Sequence, residues 1–475
     1  MKNLFLGIIP VMFLLTACPS KPAETVTTAE PTFTYTITTD PQYLNLPALQ
    51  SCAFCETADA WLFIGGRTNG FHAFPPADST FPRKKANKWI YAYTLATNKL
   101  DSMSVENLPA SLVDQFSFTN LQHTQVGDYL YLCGGYGATF SSANDTTFRT
   151  DSTFSRVSVS QMIAAVQTGN EALLQASVVY DPTPNVFVCA TGGELFKFND
   201  RFYLVVGHRY QGAYGASTST QNYLDGVHSF TINETATSIS LVPASFKIIS
   251  DTIGGVLSDT NTQFRRRDLV VSAGIQANGK AGISIYGGVF TSANGTPFTH
   301  PIYLSIDGST ATYAVDPFNQ RSNNYSAANV ALYSKSANKM YTTIFGGIVE
   351  NEADSSNASF TRKVLTLKHD LTTNTTSDKV EPVELTTANN FYYGAESMFI
   401  KSRNIPLYDT DKGIIDLDSL PANQPVVIGR IYGGIVASVS NNNTYQTSHS
   451  AASSHASRQV FLVSITKNAP VAEKK

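Results

Sequence analysis

Short bulky apolar runs recur along this chain between polar loops, and several of them end in two adjacent glycines. The runs are Trp61-Leu62-Phe63-Ile64, Tyr129-Leu130-Tyr131-Leu132, Ile283-Ser284-Ile285-Tyr286, Met340-Tyr341-Thr342-Thr343-Ile344-Phe345 and Ile428-Gly429-Arg430-Ile431-Tyr432. The pairs that follow them are Gly65-Gly66, Gly134-Gly135, Gly287-Gly288, Gly346-Gly347 and Gly433-Gly434. One further copy, Leu204-Val205-Val206-Gly207-His208, keeps a single glycine. Aromatic and β-branched residues in such runs suit a buried strand. Tight-turn pairs precede most of them: Gly127-Asp128, Asn199-Asp200, Asn278-Gly279 and Ala337-Asn338. Asn and Gly accept positive φ, so these pairs close hairpins. Ahead of the turn lies another strand, most clearly Ala328-Asn329-Val330-Ala331-Leu332-Tyr333.

After each glycine pair a polar loop of variable length leads to a third strand. Examples are Trp89-Ile90-Tyr91-Ala92-Tyr93-Thr94, Pro301-Ile302-Tyr303-Leu304-Ser305-Ile306 and Arg362-Lys363-Val364-Leu365-Thr366-Leu367. A turn such as Thr97-Asn98 or Gly169-Asn170 then leads to a fourth. The repeating unit is a four-stranded antiparallel sheet with a mean period of roughly 74 residues from Gly66 to Gly434. Units of that kind pack radially, so the expected fold is an all-β propeller of six blades, or seven with one degenerate copy. The chain ends support closure. The last unit stops at its third strand, Val460-Phe461-Leu462-Val463-Ser464-Ile465, while Phe33-Thr34-Tyr35-Thr36-Ile37-Thr38 has no blade of its own. Pairing the two would complete the last blade and remove an exposed edge.

An apolar run, Gly-Gly, a loop and an aromatic-rich strand, in that order, resembles the kelch repeat. Arg67 and Gly70-Phe71-His72 also resemble a first kelch repeat, and the likeness covers residues 32–468. It implies a kelch-like β-propeller whose glycine pairs sit where blades crowd, because a side chain there would clash. The period exceeds the usual kelch length of about 50 residues, and the Tyr and Trp positions of the kelch pattern are only partly filled. Long loops account for the extra length.

The first residues specify an address. Met1-Lys2 is basic, Leu4 to Leu15 is an apolar stretch too short to span a membrane as a mature helix, and Leu15-Thr16-Ala17-Cys18 follows. This resembles the bacterial lipoprotein signal, which implies cleavage after residue 17 and lipidation of Cys18. The alternative is an ordinary secretory signal. Residues 18–31 then form a flexible tether, residues 32–468 the propeller and residues 469–475 a disordered tail. Pro19 stands where an inner-membrane retention signal carries aspartate. The resemblance therefore implies an outer-membrane lipoprotein of a Gram-negative bacterium, facing periplasm or exterior and meeting the membrane only through its lipid.

Composition narrows the function. The formal net charge is −3 and only 15% of residues are charged, which argues against a nucleic-acid partner. Cys52 and Cys55 form a C-x-x-C before the first glycine-paired strand, read as a local disulfide in an oxidising compartment. Cys133 and Cys189 are either buried thiols or a bridge. The sequence contains no nucleophile elbow, His-Glu-x-x-His or phosphate-cradling loop. Ser305-Ile306-Asp307-Gly308-Ser309-Thr310 reads as a turn. Asp409-Thr410-Asp411-Lys412-Gly413 with Asp416 spaces carboxylates around a glycine, as a Ca²⁺ loop does. A solvated loop is the competing reading, and no other cofactor is expected.

Function on such a scaffold belongs to the loops. In a kelch-like blade, the loops after the glycine pairs and the loops between blades share one face. The first set contributes Arg67, His72, Tyr136, His208, Arg209 and Tyr210, and the second contributes Arg265, Asp268 and Glu396. Aromatics beside Arg and His bind a sugar, peptide or carboxylate by stacking and charged hydrogen bonds. The leading expectation is a non-enzymatic recognition scaffold for a protein or glycan at the cell envelope. The alternatives are a mutarotase- or lyase-like carbohydrate-active enzyme with its site at the channel mouth, and a structural component of an envelope complex. Arg, His and Glu converging at the mouth with buried carboxylates would favour the enzyme. A channel lined by Ser, Ala and Asn would favour binding or structure.

Overall fold

The computed structural model describes residues 30–469 apart from 44, 73–79, 141–146, 252–261, 293–294, 350–358 and 441–452. Cys18, the signal segment and the tail beyond residue 469 lie outside the described residues. The fold is all-β, a ring of small antiparallel sheets in a β-propeller arrangement. Four sheets have four strands each. Ala53–Glu56, Ala60–Ile64, Trp89–Thr94 and Lys99–Ser104 pair in chain order. So do Val270–Ile275, Ala281–Tyr286, Ile302–Asp307 and Thr310–Val315. Glu194–Phe198, Arg201–Val205, Val227–Phe230 and Lys247–Ile249 form another. The fourth sheet closes the ring: Ser397–Lys401, Pro425–Gly433, Val460–Lys467 and, outermost, Phe33–Thr39. The N-terminal strand pairs antiparallel with the last one from Phe33↔Lys467 to Thr39↔Phe461.

Two sheets depart from the expected four strands. A seven-stranded sheet is built on Thr119–Val126, Tyr129–Ala138, Phe154–Ser158 and Val178–Tyr180, and a six-stranded one on Asn329–Ser334, Lys339–Val349, Ser359–Asp370 and Thr375–Glu384. Loop hairpins account for the extra strands. His208–Gln211 and Thr220–Tyr223, which follow the third glycine site, reach across to pair with Phe148–Thr150. Leu407–Asp409 and Ile414–Asp416 dock beside Asn329–Ser334. The Gly169-Asn170 turn joins two helices, Val159–Thr168 and Glu171–Ala176, ahead of the fourth strand rather than two strands. With Ala110–Ser117 these helices cap a core in which Leu62, Ile90, Leu132, Val157, Met162 and Phe116 are buried. The Ser305–Thr310 segment is a hairpin turn, as read, with Asp307 paired to Thr310 and Gly308 at φ +60.

The glycine pairs work at the seams between sheets. Both glycines of every pair have positive φ. A Cβ on Gly134 would lie 1.8 Å from the Ala190 carbonyl oxygen, and one on Gly287 1.8 Å from that of Asn323. The backbone of the next unit occupies the space a side chain would need. The next residue's amide uses that closeness. Gly66 N donates to Phe118 O at 2.8 Å, Gly135 N to Ala190 O at 2.9 Å, Gly207 N to Arg266 O at 2.9 Å and Gly434 N to Leu49 O at 2.9 Å. The last bond joins the end of the ring to its beginning. In the copy lacking its first glycine, Val206 takes φ 50 itself, a conformation that a β-branched residue adopts only when its surroundings impose it.

The cysteine pair is corrected by the strand geometry. Successive side chains of a strand point to opposite faces, and three residues is an odd step. Cys55 packs with Leu62 and Leu132 on one side of its sheet, whereas Cys52 packs with Trp61, Phe63 and Tyr432 on the other. Both are free and buried, so the expected local disulfide is absent. Cys133 and Cys189 are also free buried thiols; Cys133 packs in an apolar cluster with Phe154 and Leu204, while Cys189 Sγ donates to Thr150 O at 3.5 Å.

Candidate functional site

At five of the six glycine sites the backbone turns toward the axis and delivers the next residue to the channel mouth; after Gly287-Gly288 it is Phe290, two residues on, that lines the mouth. The five residues are Arg67 after Gly66, Tyr136 after Gly135, His208 after Gly207, Ile348 after Gly347 and Ile435 after Gly434. Several of them are held by a backbone bridge to the segment entering the innermost strand of the same unit. Arg67 N donates to Gln50 O at 3.0 Å and His208 N to Thr191 O at 3.0 Å. These residues, with Asp268, Glu396 and the loop aromatics, enclose a cavity of about 120 Å³.

Seven of the nine residues expected to bind a ligand meet here: Arg67, His72, Tyr136, His208, Tyr210, Asp268 and Glu396. Arg209 and Arg265 do not line the cavity. Arg209 lies between His208 and Tyr210 on a strand, so the period-two alternation turns it to the other face. The Arg265 guanidinium stacks 3.9 Å over the Tyr223 ring and donates to Phe290 O. Its place is taken by Arg267, which ion-pairs with Asp268 and donates to the Tyr223 hydroxyl at 3.3 Å. Phe71, Phe81, Tyr214, Ile348 and Ile435 also line the wall. Of these, Phe81, Ile348 and Ile435 escape a search for polar chemistry. The position directly after each glycine pair would have found the two isoleucines.

The aromatic rings form a continuous surface. His72 stacks on Phe71 at 4.4 Å and on Phe81 at 5.4 Å, and meets Tyr214 edge-on at 4.9 Å. Tyr136 donates its hydroxyl to Gly212 O at 2.8 Å, and the Tyr210 hydroxyl pairs with that of Ser219 at 2.7 Å. These tyrosines therefore offer the cavity ring surface more than polar tips.

Charge at the mouth is strongly perturbed. Burial pushes Arg67 down to about 9, against the pull of Tyr136 and Glu396. Its guanidinium lies 4.1 Å over the Phe81 ring and donates through Nη2 to Thr80 O at 3.2 Å. Burial, then the nearby Asp268 charge, raises the Glu396 carboxyl well above the usual carboxylate range, although Ser51 Oγ donates to its Oε2 at 2.7 Å. Burial, reinforced by Arg267 and Arg265, holds His208 well below the ordinary histidine value, so its ring is neutral. Its Nδ1 is paired with Gln221 Nε2 at 2.5 Å. Only the amide can donate in that contact, which puts the ring proton on Nε2.

Below the mouth the axial channel continues past Ser51, Asn120 and Glu396, which line both spaces, to Ser326, Ala328 and Asn329. The two arrangements held apart at the sequence level therefore coexist. Arg, His and Glu converge at the mouth, and Ser, Ala and Asn line much of the channel. Glu194 sits in the channel wall, where burial raises it to about 7.

The opposite end opens into a wider basin of about 1120 Å³ that includes Asp409, Asp411 and Lys412. The expected Ca²⁺ loop is not assembled there. Asp409 Oδ1 accepts from Lys412 N at 2.9 Å, closing a turn. Asp416 accepts from the amides of Asp418 and Ser419 and from the Ser419 hydroxyl. Among the described residues no group of three or more His, Cys, Asp or Glu side chains is placed to hold a metal ion. The run is a paired hairpin whose carboxylates cap its own backbone. Comparison of the sequence with known protein families and with curated proteins gives no match.

Proposed function

We propose that this chain is a lipid-anchored, kelch-like recognition propeller of the cell envelope that binds the end of a glycan at its channel mouth. The observation that carries the reading is the mouth itself: a buried guanidinium, a neutral histidine and two carboxyl groups around a small cavity walled by stacked rings. Its volume of about 120 Å³ is close to the roughly 150 Å³ that accommodates one benzene. Such a cavity suits a single ring. A protein loop would need a larger surface. Sugar rings present an apolar face to aromatic side chains and hydroxyls to polar ones.

The ring counts as six blades in this reading. Six consecutive segments supply the channel lining: those at Ser51-Cys52, Asn120–His123, Gly192–Glu194, Leu269–Val271, Ser326–Asn329 and Glu396–Phe399. The wide sheets are then blades extended by loop hairpins. The kelch resemblance is supported by the glycine pairs at every seam, with Val206 standing in at one. Lipid anchoring rests on the apolar stretch ending at Cys18. Glu30, the first described residue, is held by Lys339 at 2.7 Å and Lys368 at 2.9 Å. Lys339 begins the strand Lys339–Val349, whose glycine pair Gly346-Gly347 lies near its other end, so the chain enters at the end of the ring opposite the mouth. An anchor there would hold the mouth away from the membrane.

A saturation-transfer NMR screen of monosaccharides and short glycans against the full chain in detergent tests the reading. Binding that Phe81→Ala weakens is expected. A screen with no binder, or binders indifferent to Phe81, would overturn it. The raised Glu396 carboxyl beside neutral His208 favours a second reading, a mutarotase-like enzyme that moves protons on the bound sugar. Acceleration of anomeric exchange, lost in Glu396→Gln, would establish that reading over simple binding.

A further inference from the structure

We propose that the ligand of the channel mouth carries a carboxylate and that Arg67 is its anchor, so that the preferred glycan end is a sugar acid. This rests on the mouth being the glycan site. The inference comes from comparing three buried arginines at this end of the ring. Arg266 is saturated: it donates to Gln263 O at 2.6 Å, Gly287 O at 2.9 Å, Gln263 Oε1 at 3.1 Å and His300 O at 2.7 Å. Arg267 has a carboxylate partner, Asp268. Arg67 is 4% exposed, makes one side-chain hydrogen bond and has no ion pair among the described residues. A buried charge without its partner is expensive, and proteins rarely leave one so unless something else supplies the counter-charge.

Among the described residues nothing supplies it. Glu396 is the nearby carboxyl, but it is bonded to Ser51 and lies outside ion-pair distance of Arg67. No Arg67 nitrogen is among the buried polar atoms sealed off without a partner, so its unused donors open on the cavity. The guanidinium is a planar fork, and a carboxylate accepts it with two parallel bonds. One uncompensated positive charge calls for one negative charge. The Asp268 carboxylate on the same wall disfavours a doubly charged phosphate more than a singly charged carboxylate, because like charges repel in a poorly solvated site. The ring surface of Phe81, His72 and Tyr214 beside Arg67 would take the apolar face of the sugar, leaving its hydroxyls for Ser51, Asn120 and Glu396.

The test is calorimetric titration of the full chain in detergent with glucuronate, galacturonate, glucuronamide, glucose and benzoate. A charged hydrogen-bond pair predicts that a uronate binds about tenfold to a hundredfold more tightly than its amide. In Arg67→Gln, confirmed folded by circular dichroism, that ratio should collapse to about one, and Arg67→Lys should retain part of it. Equal binding of uronate and amide to the unaltered protein overturns the carboxylate inference and leaves glycan binding standing, and this comparison requires no variant. Benzoate binding that needs Arg67, without uronate binding, keeps the anchor and overturns the sugar reading. Binding of none of the five overturns both.

Discussion

Replacing Arg67 by Met should leave the protein at least as stable as before, the opposite of what removing a buried arginine normally does. Burial holds the Arg67 pKa at about 9 instead of 12.5. At about 1.4 kcal/mol per pH unit, the charged side chain is disfavoured by roughly 5 kcal/mol. Two contacts offset this. Stacking on Phe81 at 4.1 Å contributes about 2 kcal/mol when desolvated, and the bond to Thr80 O contributes about 2 kcal/mol. Methionine keeps the apolar stem and carries no charge, so the balance is a gain of about 1 kcal/mol. Arg156→Met is the reference. Arg156 ion-pairs with Glu234 at 2.8 Å, donates to Thr235 O and Ala236 O, and lies 4.5 Å over Tyr129. Breaking that pair should destabilise by about 3–5 kcal/mol. Urea denaturation at pH 7 of both variants beside the parent separates the cases. If Arg67→Met loses as much as Arg156→Met, Arg67 is a structural residue and not an open anion site.

Three further outcomes are expected. Gly134→Ala should cost more than about 4 kcal/mol, because its Cβ meets the Ala190 backbone at 1.8 Å; Gly127→Ala, at φ +59 with open space around it, should cost about 1 kcal/mol, and thermal denaturation of the pair checks the difference. Deleting residues 32–39 removes the closing strand with buried Phe33 and Tyr35, and should lower stability by at least about 5 kcal/mol; an unchanged melting temperature would show that closure does not matter. Glu194 keeps its proton to about pH 7 when folded, whereas the unfolded chain loses it near 4.5. The folded state then binds more protons between those values, so stability falls as pH rises across that window and levels off above it. Glu194→Gln should gain on the parent between pH 4.5 and 8 and match it below, as read by denaturation at the two ends.

Much of the scaffold was legible because its signals are local. The apolar runs, most of the Asn and Gly turns and the glycine pairs are short-range features of strand and hairpin formation and appear where the sequence places them; the Gly169-Asn170 turn, which joins two helices, is the exception. Chain closure was legible too, since an orphan strand and an unfinished sheet imply one another. The failures came from partners distant in sequence. Cys52 and Cys55 look like a disulfide until the strand puts them on opposite faces. Asp409, Asp411 and Asp416 look like ligands until a hairpin engages the oxygens of Asp409 and Asp416 and the three are not grouped to hold an ion. The extra strands at Phe148–Thr150 and His208–Gln211 needed two loops from different repeats to meet.

The same division runs through the candidate site. The sequence by itself determined several of the residues that reach the mouth, because the backbone turn after most glycine pairs is set by local sterics and delivers the next residue inward. Arg67, Tyr136 and His208 could be named on that ground. Only the tertiary structure decided what those residues are chemically. Arg67 lacks a counter-ion among the described residues, Arg267 has one, His208 is neutral and Glu396 holds its proton more tightly, because burial and charge partners depend on which segments the ring brings together. A side chain's identity is written in the chain, whereas its charge state and its unmet hydrogen bonds belong to its neighbours.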